Sequence, residues 1–292
     1  MKATIIGFSA ILMWGMLALL TSFTNEIPPL QLTAMTFTIA FGVGIIFWIL
    51  KGANSSCFRQ PTRVWLNGVF GLFGYHMFYF IALRNAPAVD ASLIAYLWPL
   101  FIVIFSALLP KERLHWFHLA GALIGFAGAT VIILKGGTLS LKPEYIVGYV
   151  AAFICSLIWS SYSVISRSLG ESPTELVGGF CGVTALLSAV CHLIFEHTVM
   201  LNFSEWLAVI AMGTGPVGVA FFAWDYGVKR GNIKMLGTLS YTAPLISTIL
   251  LMSFGRAEPS WNVAIACFMI VTGAALTALD TIKRLFRFKN NE

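Results

Sequence analysis

Trp14 and Trp159, Pro28 and Pro173, Tyr96 and Tyr241, Pro99 and Pro244, and Gly128 and Gly273 are each separated by 145 positions in a chain of 292 residues. A constant offset that needs no gap means two copies of one unit. Each copy carries five long apolar stretches, and an odd number obliges the second copy to enter a membrane from the opposite side. The expected architecture is an all-α integral membrane protein of ten transmembrane helices in two inverted five-helix repeats, residues 1–140 and 141–292. That arrangement is common among secondary transporters, whose sites lie where the repeats meet.

Composition agrees, since 58% of residues are hydrophobic and only 10% are charged, unlike a soluble domain of this length. The expected spans are about 4–22, 30–50, 64–83, 89–109, 115–134, 145–166, 175–195, 205–228, 235–254 and 261–281. Each is long enough to cross roughly 30 Å of hydrocarbon as a helix. All 18 Lys and Arg residues fall outside these windows, as expected when a cation at mid-bilayer costs about 3 kcal/mol. With the N-terminus inside, 14 basic residues face the cytoplasm and only Arg84, Lys135, Lys142 and Arg256 face outward. Cytoplasmic loops are enriched in Lys and Arg, so both termini are expected inside, in the cytoplasmic (inner) membrane. The net charge of +6 is then mostly this bias and points to no nucleic-acid partner. The first apolar stretch is long for a signal peptide and carries Trp14, so it reads as a retained helix.

Cys155, Cys181, Cys191 and Cys267 lie within spans, with no C-x-x-C pair, so neither disulfide nor metal site is expected. No G-x-x-x-x-G-K-[ST] loop, H-E-x-x-H pair or G-x-S-x-G elbow occurs, and no carboxylates converge in mid-membrane. The sequence therefore reads as neither an enzyme nor an ATP-driven pump, and it implies no cofactor.

Aromatic rings, a few hydroxyls, one histidine and two prolines occupy the middle of the spans instead. Pro99 and Pro244 sit near the centres of the fourth and ninth spans. Each removes a backbone donor, which would free the carbonyls of Ala95 and Ser240. Such carbonyls are tolerated in a membrane only against protein or a water-filled space. Tyr75 and Tyr79 share a helical face of the third span, next to His76. His76 reads either as a substrate contact or as a neutral imidazole hydrogen-bonded between helices. Tyr96 and Trp98 on the fourth span, Tyr241 on the ninth, and the matching Trp14 and Trp159 add indoles and phenols at mid-depth. These rings ordinarily prefer the interface, and together they suit stacking against an amphipathic, aromatic solute.

The segment Ala91-Ser92-Leu93-Ile94-Ala95-Tyr96-Leu97-Trp98-Pro99-Leu100, followed by Pro110-Lys111-Glu112-Arg113, resembles the drug/metabolite transporter superfamily in its ten-helix, EamA-type form. Its Tyr-Leu-Trp-Pro run is most similar to the aromatic amino acid exporter branch. The resemblance implies a central cavity built by the third, fourth, eighth and ninth helices, with contributions from the first and sixth. The expected substrate contacts are Tyr75, His76, Tyr79, Tyr96, Trp98, Pro99, Trp159, Trp224, Tyr241 and Pro244. Pro99, Pro244, Gly74 and Gly215 are the expected hinges, and Gly121, Gly125 and Gly128 a packing face.

The expected function is export of aromatic amino acids or similar amphipathic metabolites by alternating access, with broader drug, nucleoside or other amino-acid efflux as the alternative. The partners are then a small-molecule substrate and membrane lipid, and the oligomeric state is left open. The second copy departs from the first where Trp98 matches Ala243 and Tyr79 matches Trp224, so the cavity is expected to be asymmetric. Asp225, four residues before Lys229, reads as a helical ion pair. Asp225 and His76 leave proton coupling open.

Overall fold

The computed structural model describes residues 1–24, 26–52, 55–110, 112–134, 137, 142–255 and 257–279. Lys111, Lys135, Arg256, Asp280 and the basic tail with Lys283, Arg284, Arg287 and Lys289 lie outside the described residues. Among the described residues, nine helical segments are long and apolar enough to cross a membrane. They are α1 (Lys2–Thr21), α2 (Pro29–Lys51), α3 (Thr62–Asn85), α4 (Ala88–Leu108), α5 (Trp116–Leu134), α6 (Pro143–Ser168), α7 (Leu176–Phe195), α8 (Phe203–Arg230) and α9 (Ile233–Ser253). A shorter apolar helix, α10 (Trp261–Thr277), follows. Helices satisfy backbone groups internally, which the hydrocarbon requires.

Several helices run past the apolar windows, so Arg84, Arg167, Lys229, Arg230 and Lys234 are helical rather than in loops. The extra turns are held by polar contacts at the bundle's ends. Lys229 Nζ lies 2.8 Å from Asp225 Oδ2, and that oxygen also accepts from Thr174 at 2.7 Å. The i,i+4 pair is present, although both side chains are almost fully buried rather than interfacial. At the opposite end, the Glu196 carboxylate accepts the Leu30 and Gln31 amides of α2, each at 3.1 Å, and contacts Arg84 and His192. A carboxylate at a helix N-terminus meets the positive end of the dipole.

α5 packs along α10 and α2 along α7. Both contacts depend on small residues. A Cβ on Gly121 would lie 2.5 Å from the Gly273 carbonyl and collide with the Thr277 hydroxyl, while one on Gly125 would press into the Tyr241 ring. The expected glycine face therefore packs within the chain, against α9 and α10.

Four of the irregular helices form two pairs whose irregularities come in corresponding places. α3 widens into a π-helical turn at Phe70–Gly74 and α8 does so at Gly215–Val219. Each starts 145 positions from the other. In α8 the cause is Pro216, which cannot donate to the preceding turn. α4 breaks between Ala88–Ala95 and Trp98–Phe105, and α9 between Ile233–Leu239 and Thr242–Ser253. Pro99 and Pro244 begin the second part of each, where a missing amide is tolerated. The Ser240 carbonyl, expected to be freed by Pro244, instead accepts the Ala243 amide at 3.1 Å, because the helix tightens there.

Gly121→Val is expected to lower the detergent-solubilised protein's melting temperature by several degrees, as overpacking costs about 1–3 kcal/mol. Gly42→Val, where an added Cβ meets nothing within 4 Å, serves as control. Equal melting temperatures for the two variants would contradict the packing.

Candidate substrate site in the aromatic core

Four of the nine tryptophans meet at one place, each from a different helix. Trp14 of α1 lies with its ring centroid 6.2 Å from Trp98 of α4, 5.5 Å from Trp159 of α6 and 5.1 Å from Trp224 of α8. The remaining pairs close the set at 6.2 Å for Trp98–Trp159, 5.8 Å for Trp98–Trp224 and 6.2 Å for Trp159–Trp224. Most are edge-on or tilted, the arrangement the ring quadrupole favours. Trp98, Trp159 and Trp224 are buried, and Trp14 is half-buried.

Two of the indoles are fixed by hydrogen bonds. Trp14 Nε1 donates to the Pro216 carbonyl at 3.0 Å, within the π turn of α8. Trp224 Nε1 donates to Ser163 Oγ at 3.1 Å, and that hydroxyl donates to the Trp159 carbonyl at 2.9 Å. The indole nitrogens of Trp98 and Trp159 make no hydrogen bond among the described residues, so two ring donors stay available to a ligand's acceptors.

Two arms extend from this cluster. In one, Tyr75 lies 5.3 Å from Trp159 and stacks at 6.1 Å and 8° on Tyr79, whose hydroxyl is 3.1 Å from Ser92 Oγ. In the other, Phe221 lies 6.1 Å from Trp14 and 6.5 Å from His76, which also meets Phe37 at 5.1 Å. His76 Nδ1 is 2.7 Å from the Leu72 carbonyl of its own helix, so this nitrogen carries the proton. Its hydrogen bond thus stays within α3 rather than bridging helices.

The structure brings together Tyr75, Tyr79, Trp98, Trp159 and Trp224 of the expected contacts, with His76 beside Tyr75 at 5.3 Å. Tyr241 lies in a cluster with Ala129 of α5 and Ala266 and Ile270 of α10, and Tyr96 packs against that cluster with its phenol near those of Tyr75 and Tyr79. Pro99 and Pro244 are buried at the helix breaks, and Gly74 and Gly215 fall at the end and start of the π turns. Trp14 and Phe221 were absent from the expected contacts, although the 145-residue match of Trp14 to Trp159 marked the first of them. A cavity of about 190 Å³ bounded by Phe80, Arg84 and Glu196, and another of about 330 Å³ bounded by Phe78 and Val150, lie away from the four tryptophans. The rings themselves are in contact, so this conformation holds the expected central site closed.

A charged cluster that sequence reasoning missed closes the end of the bundle that carries the N-terminus. Glu112, between α4 and α5, receives Arg167 Nη2 of α6 at 2.6 Å on one oxygen and Lys234 Nζ of α9 at 2.8 Å on the other. Arg167 Nη1 also donates to the carbonyls of Val228 and Gly231, each at 2.7 Å, and Lys234 to that of Arg113 at 2.9 Å. Burial pushes the Glu112 carboxyl up, but Lys234 and Arg167 outweigh it and hold the group below its ordinary value. Its acidic mate is missing from the second copy, where Ala257 stands, so no repeated signal announced it.

A polytopic helical bundle with an aromatic core at broken helices defines a membrane carrier. Residues 1–134 and 146–279 each match the EamA-like transporter family, and the chain belongs to that family. It is 55% identical over 279 residues to a protein named aromatic amino acid exporter YddG from Ancylobacter novellus, covering 95% of this chain and 97% of that one. It is 26% identical over 305 residues to the protein of that name from Salmonella typhimurium, covering 97% of this chain and 99% of that one. A crystal structure of 55% identity aligns with a TM-score of 0.91 over 95% of this chain and 98% of the other.

A carboxyl held low in the folded protein stabilises it above the unfolded value, and that contribution is lost as pH falls through the folded value. Wild type is therefore expected to melt above Glu112→Gln at neutral pH, with the gap closing as pH drops below about 4.5. Melting curves across pH test this; a gap that does not narrow in acid would contradict it.

Proposed function

We propose that this chain exports aromatic amino acids across the cytoplasmic membrane by alternating access, with the solute held among Trp14, Trp98, Trp159 and Trp224. The observation that carries the substrate class is the likeness, at 55% identity over 95% of the chain, to a protein named as an aromatic amino acid exporter. The ring cluster supports the location. An aromatic ring entering there exchanges indole–indole contacts for indole–ligand contacts of similar worth, about 0.5–1.5 kcal/mol each. Opening the cluster is thereby offset by filling it.

In this reading the halves are inverted repeats, residues 1–140 and 141–292, with both termini cytoplasmic. The paired π turns, the two matches to one family model and the ends of α4 and α9, displaced by 145 positions, all support the duplication. The excess of Lys and Arg on the N-terminal side supports the orientation. Pro99, Pro244, Gly74 and Gly215 act as hinges because the helical ladder is already interrupted beside them.

Flux of radiolabelled phenylalanine, tyrosine and tryptophan in proteoliposomes, with threonine for comparison, tests the reading. Wild type should favour the aromatic substrates, and Trp98→Ala should lose roughly tenfold or more, as buried aromatic anchors do. Equal flux in Trp98→Ala, or no aromatic flux from a folded preparation, would overturn it.

A further inference from the structure

We propose that Glu112, Arg167 and Lys234 form the gate that holds the inner end closed. The inference rests on the inverted-repeat reading and its orientation.

The three residues come from different parts of the chain: Glu112 from the connection after α4, Arg167 from the end of α6 and Lys234 from the start of α9. Glu112 belongs to the first half and both its cations to the second, so the carboxylate links the halves, beside the Arg113 carbonyl that accepts from Lys234. Its partners are anchored unequally. Arg167 is held on the Val228 and Gly231 carbonyls within the second half, independently of Glu112. If the α4–α5 connection moves away, Arg167 keeps those acceptors, and Glu112 loses both its cations. The gate thus parts on one side of a fixed guanidinium.

The side chains of Glu112, Arg167 and Lys234 are 15%, 22% and 9% exposed. They are dry enough for the pairs to matter, yet water reaches them as they separate. Wholly exposed pairs would contribute little, and wholly buried ones would be costly to part.

The test is cysteine labelling in a protein whose native Cys57, Cys155, Cys181, Cys191 and Cys267 are replaced by alanine. Leu236→Cys reports on the inner end, because Leu236 is fully buried against Gly7 and Gly227. Its mate, Ala91→Cys, is equally buried at the outer end and serves as the control. In oriented vesicles without substrate, an impermeant maleimide should modify Leu236→Cys from inside and Ala91→Cys from outside slowly, because both positions are covered. Adding Glu112→Gln should speed the Leu236→Cys reaction about tenfold, and Glu112→Asp should restore slow labelling. A rate unchanged by Glu112→Gln, in protein whose melting curve shows it folded, would overturn the gate. An equal gain at Ala91→Cys would show general loosening rather than a gate and would overturn it as well. If Leu236→Cys responds to Glu112→Gln only from outside, the inner assignment falls. No substrate is present, so failure of the export reading, which is read from flux, is distinguishable from failure of the gate.

Discussion

Mutual contact among Trp14, Trp98, Trp159 and Trp224 ties together α1, α4, α6 and α8. Inside a membrane, apolar surface alone gives helices little reason to prefer one another over lipid. Packing and polar satisfaction decide instead, and the indoles supply both. The rings of Trp14 and Trp224 interlock with their neighbours, and their N–H groups are used by the Pro216 carbonyl and the Ser163 hydroxyl. The same features make the cluster separable. Its contacts are ring to ring, and an aromatic solute can replace them without leaving a void.

The irregular backbone lies where such a replacement would need compliance. The π turn of α8 includes Pro216, whose carbonyl holds Trp14, and Trp224 follows on the same helix. The π turn of α3 ends at Gly74, directly before Tyr75. Gly71 in that turn faces the Tyr162 ring so closely that no side chain fits between them. The break in α4 comes just before Trp98. Each helix thus changes its winding within a turn of a ring it contributes, so a small change in winding moves that ring.

Much of this was legible in the sequence because hydropathy reports burial in lipid directly. The ninth expected span, about 235–254, lies within two residues of Ile233–Ser253, and the eighth, 205–228, is extended by two residues at each end. Offset arithmetic pointed to Trp14 and Trp159 because duplicated residues carry their position with them. It could not show that Tyr241, equally symmetric and equally aromatic, turns toward α5 and α10, since facing is set by the helix break before Pro244. Glu112, Arg167 and Lys234 were invisible for another reason. Charges at span ends are read as topology signals, and which of them meet across the bundle depends on packing between residues 55 and 122 positions apart.

The polar contacts at the two ends and the aromatic core divide the work of one closed conformation: ion pairs tie the halves together at both ends, and interlocked rings fill the middle. The account therefore stands on where an aromatic substrate sits. A structure determined by electron cryo-microscopy with tryptophan bound tests this most directly. The ligand's ring should lie among Trp14, Trp98, Trp159 and Trp224, with those four indoles moved apart to admit it. Tryptophan found elsewhere, for example in the cavity beside Phe80 and Arg84, with the four indoles still in contact, would contradict the account.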